Sequence, residues 1–158
     1  MKHFKIGVNI GDSAPNFSGL DGQGNKIQLS DFKGKKLAIY FYPKDNTPGC
    51  TVQACNLRDN YSALEKNNIS IIGISADSAT SHQKFTDKFD LPFPLIADED
   101  KTIINQFGVW GLKKFMGKEY DGIHRTTFVI NEDQKIIGII EKPKTKAHAE
   151  EILEIINK

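Results

Sequence analysis

The sequence predicts an α/β fold: a central mixed sheet flanked by helices, with an added N-terminal β-hairpin. Three observations carry that expectation. Residues 37–42 (Leu-Ala-Ile-Tyr-Phe-Tyr) and 69–75 (Ile-Ser-Ile-Ile-Gly-Ile-Ser) are continuous apolar runs of the kind that form strands covered on both faces. Between them Ala54, Leu57, Tyr61 and Leu64 recur at helical spacing, which predicts a helix of about four turns. Strand, helix and strand of these lengths make a parallel unit. The remaining elements fall around that unit. Residues 16–20 and 25–29 flank Asp21-Gly22-Gln23-Gly24 and read as the first hairpin. Phe85 and Phe89 suit a further helix, and Ile103, Ile104 and Phe107 a shorter one. Residues 126–130 and 136–140 form a second antiparallel hairpin across Asn131 to Lys135. Ala149, Ile152, Leu153 and Ile156 give a closing amphipathic helix.

The 158 residues suit one domain over 1–158, since a second core would leave both halves small. A hydrophobic content of 39% and a charged content of 26% are those of a globular chain. A net charge of +1 speaks against a basic nucleic-acid clamp. No apolar run approaches the roughly 18 residues of a membrane span. Met1-Lys2-His3-Phe4-Lys5 lacks the pattern of a secretory leader. Two cysteines cannot build a disulfide-dense scaffold, so the expected compartment is a reducing cytoplasm.

The chemistry gathers where the first central strand meets its helix, in Pro43-Lys44-Asp45-Asn46-Thr47-Pro48-Gly49-Cys50-Thr51. In such sheets ligands meet the protein beyond the carboxyl ends of the strands. Cys50 stands in the first turn of the helix, where unpaired N–H groups and the positive end of the dipole favour thiolate over thiol. Pro48 and Gly49 fit the turn that aims it. A buried, inert cysteine sharing a face with Ala54 and Leu57 is the competing view, but it does not account for the Thr-Pro-Gly approach.

Cys55 lies five residues on, a rise of about 7.5 Å and a turn of about 140°, which sets the two Cα atoms about 8–9 Å apart. That exceeds disulfide reach, so a bond between them requires the first turns to unwind. Spacing alone leaves Cys55 as readily an ordinary helix residue. Thr47 can bond at the same mouth or simply cap the helix. Arg125 can hold a thiolate, or be a solvated residue ahead of a strand. His124 is a candidate base, and equally a satisfied polar group. Asp98-Glu99-Asp100 reads as the solvated start of a helix rather than a cation site. Zinc spacings, phosphate loops and the Gly-x-Ser-x-Gly elbow are absent, and the cysteine spacing is not that of a Cys-x-x-Cys dithiol. A general disulfide reductase and a redox-inert binding module are the rival classes. The pH dependence of Cys50 alkylation separates the module from either enzyme.

With these residues assembled, the chain resembles the peroxiredoxins, specifically the bacterioferritin comigratory protein and peroxiredoxin Q group. The resemblance runs from Gly11-Asp12-Ser13-Ala14-Pro15 to the closing helix. It is most specific in residues 40–51, Cys55, Arg58-Asp59, residues 107–111 and residues 120–128. Ser18-Gly19-Leu20 departs from the usual Ser-Leu-Pro. The resemblance implies a thioredoxin-like fold and thiol-dependent reduction of hydroperoxides without metal or haem. It implies Cys50 as peroxidatic cysteine, Cys55 as resolving cysteine, and Thr47, Arg125 and Pro43 as the other active-site residues. It further implies thioredoxin or a similar dithiol as reductant, and a resolving step within one chain makes a monomer the expected unit.

Overall fold

The computed structural model describes residues 6–115 and 117–157. The expectation about a secretory leader falls on Met1 to Lys5, which lie outside the described residues. Nine strands and five α-helices follow one another in the described chain. β1 (Ser18–Asp21) and β2 (Lys26–Gln28) form the expected hairpin, and β3 (Lys36–Phe41) is the first central strand. Helices α1 (Pro48–Asp59) and α2 (Tyr61–Lys66) lead to β4 (Ile69–Ser75). Next come α3 (Ala79–Phe89), β5 (Leu95–Ala97) and α4 (Thr102–Gln106). A hairpin of β6 (Trp110–Phe115) and β7 (Lys118–Ile123) precedes β8 (Thr126–Ile130), β9 (Ile136–Glu141) and α5 (His148–Ile156).

Seven strands make one mixed sheet in the order β2-β1-β5-β4-β3-β8-β9. β4 pairs in parallel with β3 and β5, and the other neighbours are antiparallel. β6 and β7 form a sheet of their own. The alternation of β3 explains why its sequence is apolar throughout. Leu37, Ile39 and Phe41 face a cluster with Ile104, Phe107 and Phe128, while Ala38, Tyr40 and Tyr42 face Ala54, Leu57 and Ile152 beneath α1 and α5. The second cluster seats Cys50. Two glycines make room for these layers. A Cβ on Gly73 would lie 2.8 Å from Tyr40 Cζ, so the Tyr40 ring occupies that space. A Cβ on Gly19, where the first hairpin departs from the expected pattern, would lie 2.5 Å from Ile96 Cγ2.

Two expectations need correction, and one of the two alternatives for Thr47 falls away. The single helix of four turns is two helices, because Asn60 leaves helical geometry (φ −108°, ψ 14°) and its side-chain Nδ2 donates to Asn56 O at 2.8 Å. Asp98 is not solvated: it is buried, and its carboxylate accepts from the N–H groups of Ile103 (3.1 Å) and Ile104 (2.7 Å) at the start of α4. Thr47 occupies the N-cap of α1, but its side chain makes no capping bond there.

Candidate active site

β3 lies between β4 and β8 in the sheet, and the chain leaving its carboxyl end reaches α1 within seven residues. Pro43 and Lys44 are exposed on this segment, whereas Asp45 is buried. Asn46 takes a left-handed conformation (φ 58°), tolerated by Asn better than by most residues. Extended Thr47 (φ −95°, ψ 157°) then delivers Pro48 as the first helical residue, where a missing N–H loses nothing. Cys50 therefore sits in the first turn of α1, among N–H groups with no acceptor one turn back. It is 1% exposed and is a free thiol.

Arg125, just ahead of β8, reaches back to α1. Its Nη2 donates to Cys50 Sγ at 3.1 Å and its Nη1 to Gln53 Oε1 at 2.6 Å. The guanidinium passes so close to α1 that a Cβ on Gly49 would lie 3.4 Å from Nη2. The guanidinium and the N-terminal end of α1 thus meet at the sulfur. Thr47 Oγ1 donates to Lys44 O at 3.0 Å, so its lone pairs remain for another donor. Cys55 is half-buried farther along α1 and is also free. The structure thus joins Cys50 to Arg125 by direct contact, with Thr47 at the N-cap of the same helix. Pro43 is at the exposed end of β3, and Cys55 stands away on α1.

His124 is bonded through its ring to β6. Its Nε2 lies 3.0 Å from Leu112 O, an acceptor, so that nitrogen carries the proton. Burial holds its pKa below the ordinary 6.5, and the Lys113 charge acts in the same direction. Burial likewise lowers Lys113, with the Arg125 cation adding to it. These side chains border an open cavity of about 800 Å³ that reaches Arg125, Thr126 and Pro143. Tyr40, under the cysteine, has its hydroxyl pKa raised chiefly by burial and further by Cys50 and Asp45. Its hydroxyl and Gln53 Nε2 are buried without a hydrogen-bond partner among the described residues.

Gln53 escaped the sequence analysis, although one signal was available: a polar residue three positions after Cys50, on the helix face that Ala54 and Leu57 make apolar. The cluster of Tyr42, Asp45, Asp77 and His82 behind the 43–49 segment escaped it as well. No signal within either local stretch joins Asp45 to a histidine 37 positions away.

Comparison with known proteins shows the family. The AhpC/TSA family matches residues 10–139. Peroxiredoxin Bcp of Escherichia coli (strain K12) is 49% identical over 146 residues, covering 92% of this chain and 94% of the relative. Peroxiredoxin Bcp of Bacillus subtilis (strain 168) is 43% identical over 149 residues, covering 94% and 95%. Among solved structures, Peroxiredoxin Q of Xanthomonas campestris superposes with a TM-score of 0.86 at 30% identity, covering 96% of both chains. PrxQ of Xylella fastidiosa gives 0.88 at 33% identity, covering 94% and 95%. The fold is thioredoxin-like, with helices around a mixed sheet. The chain belongs to the AhpC/TSA family, among its Bcp and Q peroxiredoxins, and is a thiol-dependent peroxidase.

Proposed function

We propose that Cys50 is the peroxidatic cysteine and Cys55 its resolving partner, with Arg125 and Thr47 positioning the peroxide and Pro43 bordering the site. The observation that carries this reading is the 3.1 Å contact between Arg125 Nη2 and Cys50 Sγ at the N-terminus of α1. The thiolate attacks the terminal oxygen of a hydroperoxide, an S–O bond forms, and the O–O bond breaks. The departing oxygen leaves as water or alcohol after taking a proton. Arg125 and the first-turn N–H groups of α1 stabilise the charge that develops on the breaking bond. Cys50 becomes a sulfenic acid. The first turns of α1 then unwind, the Cys55 sulfur attacks Cys50, and water is released as the disulfide forms. A dithiol such as thioredoxin supplies two electrons and two protons by exchange.

A Xanthomonas campestris relative, at 29% identity, is described by its alkyl peroxide reduction activity. We extend that substrate class, together with hydrogen peroxide, to this chain. No helix among the described residues is long and apolar enough to cross a membrane. The unit we propose is one domain over 1–158, a cytoplasmic monomer without metal or other cofactor, since both cysteines lie on one helix.

The test is peroxide consumption coupled to thioredoxin and its reductase. Cys50→Ser abolishes turnover; retained turnover places the chemistry elsewhere. Cys55→Ser consumes about one peroxide per chain, the stoichiometry of one sulfenic acid, and then stalls with thioredoxin. Mass analysis of oxidised wild type shows a Cys50–Cys55 link within one chain, and a dominant intermolecular dimer overturns the unwinding step.

A further inference from the structure

We propose that Asp77, Asp45 and His82 form an anchor that positions Thr47 for the peroxide, although none of the three touches the Cys50–Arg125 pair. The proposal rests on Thr47 contacting the peroxide, as read above. Its pivot is one peptide unit, Lys44–Asp45. A trans peptide is planar, and its C=O and N–H point in opposite directions. The N–H of this unit donates to Asp77 Oδ2 at 2.8 Å, and its C=O accepts from Thr47 Oγ1 at 3.0 Å. Asp77 therefore sets the plane that aims the Thr47 hydroxyl. That hydroxyl directs its single proton at Lys44 O, so only its lone pairs face an incoming hydroperoxide. Asp77 is itself held by Ser75 Oγ, which donates to Oδ2 at 2.6 Å.

The Asp45 side chain fastens the same unit from behind. Its Oδ1 accepts from Tyr42 OH at 2.5 Å and its Oδ2 from Ser81 Oγ at 2.8 Å. His82 Nδ1 faces Oδ2 at 2.7 Å. His82 is wholly buried, and its Nε2 lies 2.9 Å from Ile96 O, which can only accept, so Nε2 carries a hydrogen. A further proton then lies on the line between Nδ1 and Oδ2. The ligand atoms of Asp45, Asp77 and His82 fall within 4.8 Å of one another, as they would around a metal ion. The 2.7 Å approach of Nδ1 to Oδ2 is that of a hydrogen bond, and it assigns the space between them to a proton. The anchor thus ties the segment bearing left-handed Asn46 to β4 and α3 on the side away from Arg125.

This arrangement separates two reactions of Cys50. Oxidation by peroxide needs Thr47 in place, whereas alkylation by iodoacetamide needs only the sulfur and its activation by Arg125 and α1. The experiment measures first-turnover oxidation by hydrogen peroxide and alkylation in wild type, Asp77→Ala, Asp77→Asn and Thr47→Val. Asp77→Ala slows oxidation about 10- to 100-fold, the scale of a small misplacement of a positioning group, and leaves alkylation within about twofold. Asp77→Asn, which keeps an acceptor oxygen, recovers most of the oxidation rate. Oxidation at the wild-type rate in Asp77→Ala, or alkylation falling in parallel with it, overturns the anchor. If Asp77→Ala does not fold, Ser75→Ala loosens Asp77 without removing it. A smaller selective loss of oxidation supports the anchor there, and no loss or a parallel loss overturns it. Thr47→Val oxidising like wild type sinks the reading of Thr47. A slow Thr47→Val beside a fast Asp77→Ala sinks only the anchor.

Discussion

Arg125 has two partners on α1, and they do different things. Its bond to Cys50 brings a positive charge to the sulfur, while its bond to Gln53 at 2.6 Å fixes where the guanidinium lies. Gln53→Leu keeps the charge and loses the fixation. Oxidation by peroxide then falls about tenfold, as expected when a positioning contact is lost. Arg125→Ala slows both oxidation and alkylation, because the charge itself is gone. Equal effects of the two variants on alkylation, measured as pseudo-first-order rates, overturn this division. Cys50 was legible in the sequence because everything that sets its position is local: a strand end, Pro48, Gly49 and a helix start. Gln53 was not, because its partner is 72 residues away. Asp45 was visible in the same segment, but its burial follows from His82 on α3 and Asp77 after β4, which no local pattern connects to it.

Helix α1 is held by different elements along its length. Asn56 Nδ2 donates to Lys146 O at 2.9 Å, and Asn56 Oδ1 accepts from Ala149 N at 2.8 Å, so the junction before α5 clamps the helix one residue after Cys55. Arg58 Nη1 adds a bond to Phe89 O at 2.7 Å. The turns over 48–55 are held from outside the helix by the Arg125 guanidinium, at Cys50 and Gln53, and the proposed resolution requires these turns to open so that Cys50 can meet Cys55. On oxidation, amide exchange rises over residues 50–55 and stays protected over residues 56–59. Exchange that rises evenly to Asp59 shows that the clamp does not hold. At this scale β3, β4, β8, β9 and α5 were legible, since long apolar runs and strong helical periodicity announce buried elements. β5 was not: three residues between Pro94 and Asp98 are too few for a period. The β6–β7 hairpin was hidden as well, because Leu112 and Tyr120 lie exposed and its strands show no apolar face. The break at Asn60 followed from one side-chain bond that periodicity cannot register.

The whole molecule joins two apolar layers across one sheet, and His148 is where α5 is fastened to that sheet. Its Nε2 lies 2.7 Å from Thr127 Oγ1 on β8, its Nδ1 lies 3.1 Å from Glu151 Oε1, and its ring meets Tyr40 of β3 edge-on at 6.5 Å. Burial holds its pKa below the ordinary 6.5; the bond and charge of Glu151 pull it back upward, and the Arg125 cation adds to the lowering. In the unfolded chain this histidine takes a proton as the pH falls through about 6.5, while in the fold it stays neutral to a lower pH. The unfolded state then binds more protons, so this contribution to stability is complete above about 6.5 and is lost as the pH falls toward the folded value. The slope cannot exceed about 1.4 kcal/mol per pH unit, the most that one proton supplies. His148→Gln keeps a polar group near Thr127 and removes the titration. Thermal unfolding followed from pH 7.5 to pH 5 therefore falls more steeply for wild type than for His148→Gln. Parallel profiles place the acid sensitivity elsewhere. Because α5 also supplies the clamp on Asn56, acid that weakens its docking acts on the same helix that the proposed resolving step opens and closes.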